Sequence, residues 1–247
     1  MTKIKCTISY DGTNFSGFQI QPRQRTVQGE LEKALRRIHK GEHIRIHPSG
    51  RTDTGVHAKG QTIHFETTYQ LPLNNWKMAI NTLLPGDLYV HEVEEADDAF
   101  HARYDVVEKE YHYYVWNERE KDVFKQHYYY QFPYQLNMDA MQRACALLEG
   151  EHDFTTFSSA KASIKGSKIR NMYEVSCSRE GSTIEFVFRG SGFLYNMVRI
   201  IVGALLDIGQ GKRNPDDIEE LLMRKDRRLL GDTVPAQGLY LWNVTYK

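Results

Sequence analysis

The chain has 247 residues, 32 basic and 32 acidic side chains, and 40% hydrophobic residues. This is enough apolar material for one large domain or two of about a hundred residues each, and no run approaches the ~18 uninterrupted apolar residues of a membrane span. Met1–Lys5 leads straight into a strand pattern rather than a signal peptide, so a cytoplasmic location without a membrane partner is expected.

Ile4, Cys6, Ile8 and Tyr10 alternate with polar residues, which predicts a half-buried strand ending at Asp11-Gly12. Thr26 reads as the N-cap of a helix whose apolar stripe is Val27, Leu31, Leu35 and Ile38. Strands follow around Ile44–His47 and Val56–Phe65, with a glycine-bounded turn at Asp53 between them. Asn74 is expected to cap a second helix bearing Trp76, Ile80 and Leu83, which Pro85-Gly86 stops before a strand from Leu88 to Val93. The order is β-α-β-β-α-β, the split βαβ pattern.

The second half repeats the order. A strand at Tyr111–Trp116 precedes a helix lined by Met138, Met141, Cys145 and Leu148, which ends at Gly150. Strands near Tyr173–Cys177 and Ile184–Phe188 flank a turn at Arg179-Glu180-Gly181. A long helix from Leu194 to Ile208, a short one opened by Asn214-Pro215 and a closing strand from Leu239 to Val244 complete the pattern. The reading is an α+β fold of two related ferredoxin-like (βαββαβ) halves, residues 1–100 and 101–247. They are expected to form a continuous, mostly antiparallel sheet with helices on one side and a central cleft.

Gly50-Arg51-Thr52-Asp53-Thr54-Gly55-Val56-His57-Ala58 pins one carboxylate beside an Arg and two hydroxyls at strand ends, where scaffolds mount chemistry. Asp53 is the candidate catalytic group; the same residues also suit a turn that only bonds its own backbone. Arg199 is the only charge between Gly190 and Leu206, in a helix apolar nearly all round, so its guanidinium needs a partner. Asp53 is one candidate; another acid such as Glu185, or a stem that reaches solvent, is the alternative. Tyr111 could stack on a base or simply fill the core. Basic residues cluster at Lys33, Arg36, Arg37, Lys40, Arg45 and Arg51, and again at Lys161, Lys165, Lys168 and Arg170, which allows a basic groove on a neutral protein. Cys6, Cys145 and Cys177 lie too far apart for a Cys-x-x-Cys site and read as core thiols. No metal-ligand spacing or phosphate-binding glycine loop is present, so neither a metal nor a cofactor is expected.

The nine residues from Gly50 to Ala58 resemble the signature of the tRNA pseudouridine synthase A family. Tyr10-Asp11-Gly12-Thr13-Asn14-Phe15-Ser16-Gly17, Gly192–Arg199 and Pro235–Leu241 fall in that family's order, so the resemblance spans the chain, with Val234 where Ala commonly precedes the Pro. The resemblance implies isomerisation of uridine to pseudouridine at positions 38, 39 and 40 of the tRNA anticodon stem-loop, by a homodimer without cofactor. It implies Asp53 as the catalytic Asp, Arg199 as its basic partner and Tyr111 as the ring on the target uracil. It further implies that Arg51 steers the flipped-out nucleotide and that Leu239 lies against substrate. The clusters containing Lys161, Lys165 and Lys168 suit the RNA backbone. Rival readings are a non-catalytic RNA-binding or RNA-chaperone module, which leaves Asp53 idle, and a glycosidase or nucleosidase, which wants a second carboxylate.

Overall fold

Alternation sets the first strand, β1 (Thr2–Tyr10), whose Ile4, Cys6, Ile8 and Tyr10 are all buried. The computed structural model describes residues 1–159 and 166–247. Two units organise the chain, Met1–Val107 with Tyr240–Lys247, and Glu108–Leu239.

In the first unit α1 (Val27–Ile38) begins where the sequence places it, with the Thr26 hydroxyl accepting from Gly29 N–H at 3.2 Å. The predicted strand at Ile44–His47 shrinks to β2 (His47–Pro48). Ile44 and Ile46 are buried nonetheless, and Ile46 N–H donates to the Glu32 carboxylate on α1. β3 (His57–Thr67) pairs antiparallel with β1, Cys6 facing Ile63. α2 (Leu73–Leu83) is capped by Pro72, whose carbonyl accepts from Trp76 N–H, so Asn74 stands in the first turn and is not the cap. Leu84 is extended before Pro85, which ends the helix as expected. β4 (Leu88–Ala96) pairs antiparallel with β1 on its other edge.

The sequence order places the closing strand, β10 (Leu239–Tyr246), with the second half. It runs parallel to β3, Tyr240 facing His57 and Leu241 facing Ala58. Within this unit the strand order is β4-β1-β3-β10. Trp76 and Ile80 of α2 and Leu31 and Leu35 of α1 are buried, and Trp76 meets Phe65 of β3 edge-on at 5.6 Å.

In the second unit β5 (Val106–Trp116), with β6 (Tyr130–Gln131) beside it, pairs antiparallel with β9 (Thr183–Gly190). β9 pairs with β8 (Ile169–Glu180), and β8 with β7 (Gly150–Asp153), a short strand that its four polar or glycine residues did not announce. α3 (Met138–Ala146) buries Met141, Ala144 and Cys145. α4 (Met197–Gly209) starts later than Leu194 because Asn196 takes a left-handed φ of 60° ahead of it, and α5 (Asp217–Arg224) follows. Phe186, Phe188, Tyr113 and Val115 form the sheet side of this core. The fold class is α+β with mostly antiparallel sheets, and among the described residues no helix is long and apolar enough to cross a membrane. All three cysteines are free and buried.

One buried histidine gives the first unit a pH dependence. His64 Nδ1 accepts from Ala102 N–H at 3.1 Å, which requires the neutral ring at that nitrogen. Burial first, then the neighbouring His47 and His101, lowers its pKa from 6.5 to about 4. The unfolded chain therefore binds the proton that the folded chain refuses. The stability contribution is full above about pH 6.5 and is lost as pH falls toward 4. Urea melts across this window are expected to show unfolding free energy falling with pH, with a shallower slope in His64→Gln. An identical slope in the variant would contradict the assignment.

Candidate active site

The Asp53 turn is anchored by its neighbours' side chains. Ser49 N–H donates to the Thr62 carbonyl at 2.8 Å, and the Ser49 hydroxyl donates to Gln61 Oε1 at 2.5 Å. The Gln61 amide in turn donates to the Gly50 carbonyl at 3.0 Å. The Tyr10 and Thr52 hydroxyls share a buried bond of 2.8 Å. Burial pushes the Tyr10 phenol up to about 12, against the opposing pull of Thr52 and Gln61, so it stays protonated at neutral pH. Val56 N–H donates to the Asp53 carbonyl at 3.1 Å and closes the turn. Asp53 itself is half-buried, with Arg51 and Thr54 exposed on either side of it.

A second loop, residues 11–18, lies against the turn. Phe18 N–H donates to the Thr52 carbonyl at 3.1 Å, and a methyl group on Gly12 would stand 2.1 Å from the Val56 carbonyl oxygen. Gly12 N–H donates to His57 Nδ1 at 3.0 Å, which places the neutral ring's proton on Nε2. Asp11 Oδ1 lies 3.2 Å from the same nitrogen and accepts from Thr13 N–H and its hydroxyl. The His57 ring stacks on Tyr240 at 4.7 Å. Arg25 grips Asp87 through two 2.7 Å bonds and lies 4.1 Å over the Phe15 ring. The Asp87 carbonyl accepts from Asp11 N–H, so the ends of β1 and β4 and the start of α1 brace one loop.

In the second unit Arg199 stands on the first turn of α4, half-buried. Its Nε donates to the Val234 carbonyl at 2.7 Å and its Nη1 to Asn196 Oδ1 at 3.1 Å. Glu185, the alternative acid considered for it, accepts from the Tyr114 hydroxyl and lies 2.7 Å from His112 Nδ1. Tyr111 is half-buried on β5 and meets Phe193 edge-on at 4.9 Å, so the segment entering α4 touches both the ring and the Arg. The Tyr113 hydroxyl donates to the Pro235 carbonyl at 2.8 Å, and a methyl group on Gly238 would stand 2.7 Å from the Tyr114 carbonyl oxygen. Segment 234–238 is thereby wedged against β5 within this unit. Leu239, which follows it, is buried.

Of the basic candidates, Lys33, Arg36, Arg37 and Lys40 are exposed on and just beyond α1, as are Arg45 and Arg51. Lys168 is half-buried, and Lys161 and Lys165 lie outside the described residues. Sequence reasoning did not find Tyr10 as a tether, Gln61, the Arg25–Asp87 pair, or the Asn196 and Val234 acceptors of Arg199. A tyrosine ending an otherwise aliphatic strand face, just before Asp11-Gly12, was the available signal for the first.

A family model described as tRNA pseudouridine synthase matches residues 7–105 and 144–247. The tRNA pseudouridine synthase A of Oceanobacillus iheyensis is 59% identical over 247 residues, covering 100% of this chain and 98% of that protein. Its counterpart in Geobacillus kaustophilus is 58% identical over 245 residues, covering 99% and 95%. That of Bacillus subtilis is 52% identical over 245 residues, covering 99% of each. Tyr111 falls between the two segments of the family model but inside these full-length matches.

Because a side chain at residue 12 has no space, Gly12→Ala is expected to displace the turn, with a melting temperature several degrees lower. Its catalytic rate should fall more steeply than its stability alone accounts for. A variant with the parent's melting temperature and rate would show that the close approach is not required.

Proposed function

The chain belongs to the tRNA pseudouridine synthase family, and from that premise we propose that it isomerises uridine to pseudouridine in tRNA, at positions 38, 39 and 40 of the anticodon stem-loop. It does so as a homodimer in the cytoplasm, without a cofactor. The observation that supports this most is the Asp53 turn, a half-buried Asp on a backbone tethered at residues 49, 50 and 52.

The reaction breaks the bond from C1′ to N1 and joins C1′ to C5 of the same base, and the C5 proton is lost as N1 regains one. A stem uridine hides both carbons, so it is extruded first, at a cost of a few kcal/mol. Asp53 is the reactive group, acting at the ribose either as nucleophile on C1′ or as base. Arg199 is the basic residue of the reaction and Tyr111 the ring that meets the uracil. Arg51 steers the extruded nucleotide, and Leu239 lies against the substrate. Lys161, Lys165, Lys168 and the exposed cations of α1 supply binding energy along the RNA backbone. In this division of labour the unit of Met1–Val107 with Tyr240–Lys247 brings the carboxylate, and Glu108–Leu239 brings the ring and the basic helix.

Incubation with unmodified tRNA carrying uridine at these sites, followed by carbodiimide labelling and primer extension, is expected to give new stops in the anticodon arm. No new stops with the intact protein would overturn the proposal. Lys168→Gln is expected to weaken tRNA binding for all substrates alike and to reduce the slope of log K against log salt by about 1. An unchanged slope would remove Lys168 from the contact surface.

A further inference from the structure

Tyr10 and Gln61 sit on neighbouring strands, and neither belongs to the turn they hold. β1 and β3 fall out of step here: Ile8 faces Gln61 while Tyr10 faces Ala58, so β3 carries one extra residue beside the turn. Bulges of this kind re-aim side chains next to functional sites. Gln61 and Tyr10 are buried, with the phenol ring packed on Phe15 and Phe18 at 6.3 Å each. Along the row, Ser49 donates to Gln61, Gln61 donates to the Gly50 carbonyl, and the Tyr10 hydroxyl bonds Thr52, the residue before Asp53. The Ser49–Gln61 and Tyr10–Thr52 bonds are buried and the Gln61–Gly50 bond is part-buried, and a satisfied polar network of this kind fixes a unique geometry.

We propose that Tyr10 and Gln61 are positioning residues for the reaction: the buried row from Ser49 through Gln61 and Tyr10 to Thr52 fixes where the Asp53 carboxylate projects, without touching RNA. The inference rests on Asp53 as the reactive group. The Tyr10 hydroxyl does its work through Thr52, so removing either end of that one bond has the same effect. The substrate's binding surface is left as it was, and the loss falls on the chemical step.

The test compares Tyr10→Phe, Thr52→Val and the double variant with the parent protein and with Asp53→Asn. The readouts are pseudouridine formation under single and multiple turnover, tRNA Kd and melting temperature. Each single variant is expected to lower kcat about 10- to 100-fold, the range of a small misplacement of a reacting group. KM and Kd should stay within about twofold of the parent and the double variant should be no slower than the singles, the signature of one shared interaction. If Tyr10→Phe fails to fold, Thr52→Val, which keeps the volume of its residue, carries the test alone. Parent kcat in Thr52→Val, additive losses in the double variant, or a change confined to KM would overturn the positioning role. Turnover by Asp53→Asn would instead overturn the reading on which it rests, so the two failures are told apart.

Discussion

Gly12 packs so tightly on the Val56 carbonyl that a methyl group there would stand 2.1 Å from the oxygen. That contact lets the loop after β1 lie flat on the Asp53 turn. The consequences spread outward from it. Gly12 N–H reaches His57, Phe18 N–H reaches the Thr52 carbonyl, and Arg25 with Asp87 holds the loop from behind. A carboxylate on a free loop would sample many positions and lose rate for it. Here it stands on a backbone whose flanking polar groups are bonded to two strands and a second loop.

The second unit solves a similar problem with different groups. Arg199 is oriented by a carbonyl of the 234–238 segment and by the amide of a residue in left-handed conformation. The segment itself is fixed by the Tyr113 phenol and by the absence of a side chain at Gly238. In both units uncharged acceptors provide much of the orientation. Such bonds depend less on ionic strength than exposed ion pairs do, which suits a protein whose substrate is a polyanion.

Elements written in local periodicity were legible in the sequence. The alternation from Ile4 to Tyr10 gave β1, and Thr26 ahead of an apolar stripe gave α1 with its cap. What failed was decided by partners distant in sequence. Ile44–Ile46 has strand composition, yet a Glu32 side chain takes the backbone N–H that a ladder would need. The closing strand reads identically whichever edge it joins, and its parallel register with β3 has no local mark. The Asp53 turn stood out because glycines and a carboxylate cluster within nine residues. The groups that tether it come from residues 10 and 61, on two different strands, and no periodicity links them to residue 52.

The central claim is that one carboxylate, held still by this scaffold, carries the reaction. It is met most directly by tRNA labelled with tritium at C5 of uridine, since conversion to pseudouridine must release that atom to water. The parent protein should release tritium while Asp53→Asn, nearly the same in shape, binds the tRNA at least as tightly and releases none. Release by the Asn variant at the parent's rate would contradict the account.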